Sequence, residues 1–376
     1  MIQRAFKLLG FMLFTLVTTI VLAEVASRVL VPEWAPVGGD RGFWAYDPEL
    51  GWGHTPGASG RLEYVDFSVG VEINSEGLRD RDYPLGRVPG KHRMLVLGDS
   101  FAWGYGVEQN ERFSEVIEKS RPDWEIINAG VSGYGTDQEY LYYKLRGSKY
   151  RPDVVLVLFF SNDLENVANS VQYYHNKPLF VAEGDGIRLT NTPVPEVTLS
   201  QRVANFIARN TYFLRIASQV PARWRSGSRQ PTLGSAAADG SAAATQDNQV
   251  APSSQQELVV RIFLALNEAV RADGGRLVVV SLPGAHPLFK DPRFADAGIA
   301  YLPLTGVFLG SPAPVWFAHD PHWTPNGHRI AAAAIDKFLA RAGVFEGDAG
   351  RMGGATEAGP RSRAPAWSET AAAVSD

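Results

Sequence analysis

The chain of 376 residues contains no cysteine. That excludes disulfides, a cysteine-linked lipid anchor and thiolate metal sites. It is compatible with an oxidising compartment without requiring one. Net charge is also scarce: 36 Lys and Arg against 40 Asp and Glu leave a formal −4. Nothing in that balance attracts nucleic acid. HExxH and clustered His/Asp ligand patterns are missing, so no metal or other cofactor is expected. Gly104-Tyr105-Gly106 lacks the glycine spacing of a nucleotide loop. There is no internal repeat. Large apolar residues nearly vanish over 225–256, where only Leu233 and Val250 stand among Ser, Ala, Gly, Gln and Asp. Such a stretch buries too little apolar surface to offset its ordering entropy. It reads as a disordered insertion between two halves of one domain, and 346–376 reads as a disordered tail.

What is present is the 45% apolar content of a globular chain. The N-terminus is distinctive. Arg4 and Lys7 precede an apolar run over 8–23 that Glu24 closes. Basic residues ahead of an apolar segment keep the N-terminus cytoplasmic and send the rest across. The run is shorter than the ~20 residues that span a bilayer comfortably. Val25, Ala26, Val29 and Leu30 extend it, with Glu24 and Arg28 spaced as a helical pair. Residues 1–31 are therefore expected to form an uncleaved signal anchor. A cleaved signal, with Val21-Leu22-Ala23 as the peptidase site, and a buried soluble helix stay open as alternatives. Both leading readings put the remainder outside the cytoplasm, at an inner membrane or secreted.

Residues 32–92 are rich in Gly, Pro, Asp and Trp and lack a helical period. Strands are expected at 62–67 and 69–73, and Asn74-Ser75-Glu76-Gly77 is turn chemistry. This region reads as a small β-rich preface. From 93 to 345 strands and helices alternate, which calls for a parallel sheet covered on both faces. Strands are expected at 93–97, 124–128, 153–160, 276–281 and 299–303. Helices are expected at 111–119, 136–147, 257–271 and within 198–220. A last helix starts after Thr324, its N-cap, with Pro325 in the first helical position.

Chemistry-bearing residues gather at the strand ends. Gly98-Asp99-Ser100 follows the run Met94-Leu95-Val96-Leu97. Asn128-Ala129-Gly130-Val131-Ser132-Gly133 follows the second strand, Ser161-Asn162-Asp163 the third, and Asp320-Pro321-His322 precedes the last helix. Open α/β sheets bind ligands at these ends. A serine needs a neutral imidazole to take its proton, and an Asp two residues before that histidine shares its face in an extended segment. Ser100, His322 and Asp320 are the candidates. The backbone N–H groups of Ser100 and Gly133 and the Asn162 amide can stabilise an oxyanion. Taken singly, Gly133 is equally an ordinary turn glycine and Asn162 a strand-end cap. His319 and His328 compete with His322 as the base.

This ordered set resembles the SGNH hydrolases, also called GDSL esterases and lipases, and in particular their bacterial membrane-anchored members. The resemblance covers roughly residues 93–342 apart from the insertion. It maps the family's namesake residues onto Ser100, Gly133, Asn162 and His322, with Asp320 orienting the histidine. It implies a three-layer α/β/α flavodoxin-like domain, and an ester hydrolase or O-acyltransferase working through an acyl-enzyme. It also makes Asp99 structural and assigns Gly327-His328 to packing. One departure is that a single residue, Pro321, separates Asp320 from His322, where many members have two.

Asp-Pro-His-Trp also resembles a motif of alginate O-acetyltransferases, though there it precedes the serine. The expected substrate is therefore O-acylated, notably O-acetylated, cell-surface carbohydrate. A lipid esterase or lysophospholipase, and a non-catalytic domain for polysaccharide assembly, are the alternatives. Trp103, Tyr105 and Tyr134 flank the site in sequence and are either core or sugar-stacking residues. No nucleic-acid partner is expected, and the sequence leaves the oligomeric state open.

Overall fold

The computed structural model describes residues 2–30, 42–173, 175–213, 254–282 and 284–345. Most of the insertion read at 225–256 and the whole tail at 346–376 lie outside these residues. Residues 254–256, read as the end of that insertion, instead open the helix Ser254–Ala272. Gln255, Gln256 and Glu257 are good helix formers, and the polar composition that suggested disorder serves as the exposed first turn of a helix whose apolar face begins at Val259.

Five strands form the central sheet: β1 (His92–Gly98), β2 (Trp124–Asn128), β3 (Val154–Phe160), β4 (Arg276–Leu282) and β5 (Ala300–Pro303). Their order is β5-β4-β3-β1-β2, and every neighbouring pair is parallel. This is an α/β fold of the flavodoxin-like strand order. The strands read as unbroken apolar runs because both faces are covered. Leu95, Leu97, Val155, Val157, Leu277 and Val279 point to one face. Met94, Val96, Leu156, Leu158, Val278 and Val280 point to the other. The two-residue period of a strand sorts neighbours between two cores.

Helices complete the layers. The helix Ile2–Leu30, α1, lies outside these layers and is exposed over most of its described length, with Ala23, Glu24 and Ser27 half-buried. Its segment Phe6–Leu30 is long and apolar enough to cross a membrane, with mean hydropathy 2.2. Helices α2 (Phe113–Ser120) and α6 (Pro325–Arg341) cover the face of Met94 and Val96. Helices α3 (Thr136–Leu145) and α5 (Ser254–Ala272) cover the face of Leu95 and Leu97. Helix α4 (Leu199–Asn210) lies between these in sequence.

The preface holds two hairpins, Trp44–Asp47 with Gly51–His54 and Ser59–Tyr64 with Phe67–Glu72. The second departs from expectation. Val65 and Asp66 form its turn, where a strand was expected to continue to Phe67. Asp66 is turn chemistry that the apolar neighbours Tyr64, Val65 and Phe67 masked. The preface is packed onto the α/β layers. Phe43, Leu62, Phe67, Val69, Val71 and Ile73 share a core with Trp103. Two short hairpins, Val171–Gln172 with His175–Asn176 and Leu179–Glu183 with Gly186–Thr190, follow β3 and had no counterpart in the sequence reading.

Candidate active site

The strand order reverses between β1 and β3, so their C-terminal ends flank a crevice. β1 ends at Gly98, and a Cβ there would fall 2.7 Å from Ala102 Cβ and 3.1 Å from the Leu158 carbonyl oxygen. Only glycine lets the chain turn this close to β3. Asp99 then caps the helical turn Ser100–Trp103, its Oδ1 accepting from the Phe101 N–H at 2.9 Å. Burial pushes the Asp99 carboxyl above the usual carboxylate range, and the Phe101 N–H and the neighbouring His322 oppose that shift. Ser100 opens the turn and stands half-buried in the crevice.

His322 reaches it from the segment before α6. Thr324 caps α6 by accepting from the Gly327 N–H at 3.2 Å. The Phe317 N–H donates to the His322 carbonyl at 3.1 Å, and the Thr324 N–H to the Val315 carbonyl at 2.9 Å. These bonds hold the segment as a short strand-like pair with 315–317. His322 Nε2 lies 2.6 Å from Ser100 Oγ, and His322 Nδ1 lies 2.5 Å from Asp320 Oδ1. The same Asp320 oxygen accepts from the His322 backbone N–H at 3.0 Å. A carboxylate only accepts, so Nδ1 carries the proton and Nε2 is left to accept from the serine. Phe101 and Tyr105 pack against the imidazole, with ring centroids 4.9 and 4.5 Å away.

The two competing histidines are engaged elsewhere. His319 Nδ1 and its backbone N–H pair with Asp66 at 2.8 and 2.7 Å. His328 is buried, stacks on Phe113 and accepts from the Phe113 N–H at 3.3 Å. Burial pulls its imidazole down to about 3.

Gly133 and Asn162 approach the crevice from the loops after β2 and β3. Asn128 organises the first loop: its amide donates to the Ala102 carbonyl at 2.8 Å, and its Oδ1 accepts from the Gly130 N–H at 3.0 Å. Gly133 has φ +84°, a left-handed conformation in which a side chain is strained. Asn162 Nδ2 makes a long 3.5 Å contact to Asp99 Oδ2. Its Oδ1 is buried with no hydrogen-bond partner among the described residues. Asp163 bonds the last amide of β3, its Oδ2 accepting from the Phe160 N–H at 3.2 Å. Burial and the neighbouring Glu139 push it well above the usual carboxylate range.

Three contributors had no sequence signal. Tyr173 sits in the first hairpin after β3 at φ +48°. Its ring lies over Gly133, whose carbonyl accepts from the Gln172 side-chain amide at 2.9 Å. Lys177, fully buried, donates to Asp137 Oδ2 at 2.5 Å and to the Asn166 carbonyl at 2.8 Å, fastening that hairpin to α3. Buried His54 accepts from the Trp103 indole N–H at 2.9 Å and donates from Nδ1 to the Gly77 carbonyl at 2.9 Å. The Arg79 guanidinium donates to the Trp103, Gly104 and Val107 carbonyls and lies 4.5 Å from the Trp103 ring centroid. Trp103 and Tyr134 are therefore core residues, while Tyr105 is half-buried beside the imidazole.

The sequence profile of the GDSL-like Lipase/Acylhydrolase family matches residues 96–288. That stretch carries Ser100, Gly133 and Asn162 and ends before Asp320 and His322. No curated protein matches the chain. Solved structures similar to it include a member of the lipolytic protein G-D-S-L family from Veillonella parvula DSM 2008, at 10% identity over 66% of this chain and 99% of that one, TM-score 0.35. A GDSL-like lipase from Bacteroides thetaiotaomicron VPI-5482 is 11% identical over 68% of this chain and 91% of that one, TM-score 0.36. The psychrotrophic esterase EstA from Pseudoalteromonas sp. is 13% identical over 66% of this chain and 100% of that one, TM-score 0.33.

Proposed function

The chain belongs to the GDSL-like Lipase/Acylhydrolase family and is an ester hydrolase, and from that premise we propose a serine esterase with Ser100 as nucleophile, His322 as base and Asp320 as its orienting carboxylate. The observation that carries this reading is the continuous relay from Asp320 through His322 to Ser100, at 2.5 and 2.6 Å. As Ser100 Oγ attacks the ester carbonyl, its proton passes to His322 Nε2. Asp320 holds the Nδ1 proton in place and stabilises the imidazolium. The carbonyl oxygen becomes an oxyanion, met by the N–H groups of Ser100 and Gly133 and by the Asn162 amide. The imidazolium then protonates the leaving alcohol, and the acyl group stays on Ser100. Water or a second alcohol, deprotonated by the same imidazole, releases it.

The catalytic unit in this reading is one domain over 93–345 that carries the insertion within it. Arg4 and Lys7 at the N-terminal end of α1 favour an N-terminus in the cytoplasm and a catalytic domain beyond an inner membrane. An enzyme so tethered meets surface glycans first. The Tyr173 ring over Gly133 and the Tyr105 ring beside His322 narrow the space around the reacting carbonyl, which suits a small acyl group. O-acetylated carbohydrate fits both conditions. The test is hydrolysis of acetylated oligosaccharides alongside nitrophenyl esters of increasing acyl length. The reading predicts acetate release from the sugars and falling rates beyond short acyl chains. Rates that rise with chain length, without acetate release, would make it a lipid esterase instead.

A further inference from the structure

Helix α4 is amphipathic and its apolar face is bare. Leu199, Val203, Phe206 and Ile207 follow the i, i+4, i+7, i+8 spacing of one helical face. Leu199 is 77% exposed, Phe206 65% and Val203 50%. The other side of the helix carries Gln201 and Asn205, and Arg202 flanks the apolar face. Gln201 reaches back to the protein, donating to Asn176 Oδ1 at 3.0 Å. The polar face thus meets the protein and the apolar face points away. A monomeric soluble surface rarely shows such a row of large side chains unless something covers it.

The position of the C-terminal end of α4 identifies the cover. Arg28 of α1 donates to the Asn210 carbonyl at 3.1 Å, and its guanidinium lies 5.0 Å from the Tyr212 ring centroid. The Glu24 carboxylate accepts the backbone N–H groups of Tyr212 and Phe213 at 3.2 and 3.0 Å. Glu24 and Arg28 are the charged residues at the C-terminal end of the membrane-length segment Phe6–Leu30. In a tethered chain, charged residues at that end sit at the water–lipid boundary. The end of α4 is therefore fastened at boundary height.

We propose that α4 is an interfacial helix whose Leu199, Val203, Phe206 and Ile207 face enters the phospholipid surface beside α1. The inference rests on the reading of α1 as a retained membrane anchor. A helix of this kind buries its apolar face at the headgroup–acyl boundary and keeps basic and polar residues toward water. A second contact with the bilayer would stop the catalytic domain swinging on a single tether and fix the height of the Ser100 crevice above the membrane.

The absence of cysteine makes the test clean, since single labels can be placed without removing native thiols. Full-length chains bearing Leu16→Cys, Val203→Cys, Phe206→Cys or Asn205→Cys are labelled with an environment-sensitive fluorophore. Each is reconstituted in phosphatidylcholine–phosphatidylglycerol vesicles and checked for hydrolysis of a small soluble ester, so that only folded protein is read. Quenching by lipids brominated along the acyl chain is then measured. The proposal expects labels at 203 and 206 to be blue-shifted and to lose about half their intensity or more, while the label at 205 changes little. Quenching at 16 with 203 and 206 behaving like 205 would overturn the proposal and leave the anchor standing. An unquenched label at 16 would remove the anchor reading and this inference with it.

Discussion

Tyr173 lies across Gly133: a Cβ on that glycine would fall 2.9 Å from Tyr173 Cε2 and 3.0 Å from Cδ2. The glycine proposed to offer an N–H to the reacting oxygen is thus covered by a tyrosine from a distant hairpin. Gly133→Ala should lower kcat sharply, because the added methyl meets this ring and the backbone at φ +84° resists a side chain. Tyr173→Ala should open the acyl site. One methylene in such a pocket is worth about 1–3 kcal/mol, so the butyrate-to-acetate ratio of kcat/KM should rise about tenfold or more. An unchanged ratio would show that Tyr173 does not bound the acyl group.

Asn162→Ala should lower kcat by about a hundredfold with little change in KM, since an oxyanion donor acts mainly in the transition state. Steady-state kinetics on a soluble nitrophenyl ester separates the two. A rise in KM alone would mean that Asn162 holds ground-state substrate.

The sheet and the relay were legible in the sequence for physical reasons. Strands covered on both faces leave uninterrupted apolar runs, and β1 to β5 appear within a residue or so of their expected limits. Asp320 and His322 are two residues apart, so a local conformation suffices to join them. Tyr173 was invisible because its hairpin is two residues per strand and its position over Gly133 is set by long-range contacts. Lys177 and His54 were missed likewise. A buried lysine or histidine looks like a surface one until its partner, Asp137 or Trp103, is brought to it. The turn at Val65-Asp66 failed because one polar residue between apolar neighbours also fits a strand.

The buried Lys177–Asp137 pair should be costly to split. Removing one member leaves an uncompensated buried charge, which costs about 3–5 kcal/mol. Lys177→Met should therefore lower the melting temperature by several degrees and loosen acyl selectivity through the Tyr173 hairpin. The double variant Lys177→Met/Asp137→Leu should recover part of the loss. Equal stability of wild type and Lys177→Met would contradict the pair's structural role.

Acid should destabilise the protein through His54. Burial pulls its imidazole from the usual 6.5 down to about 4. Below 6.5 the unfolded chain binds a proton that the folded chain refuses, so stability falls as pH drops through this window. The loss amounts to about 3 kcal/mol by pH 4. His328 acts in the same direction, so His54→Gln should flatten the slope without abolishing it. Unfolding free energies measured between pH 7 and 5 check this; identical slopes in the two proteins would refute the assignment to His54.

The most direct test of the relay is the residue that a fluorophosphonate modifies. The reagent is expected to phosphonylate one serine in the folded full-length protein, and mass spectrometry of the digest should place the adduct on Ser100. Ser100→Ala should keep its circular dichroism and lose both labelling and ester hydrolysis. A folded Ser100→Ala protein that still labels and still turns over ester would contradict the assignment of Ser100 as the nucleophile.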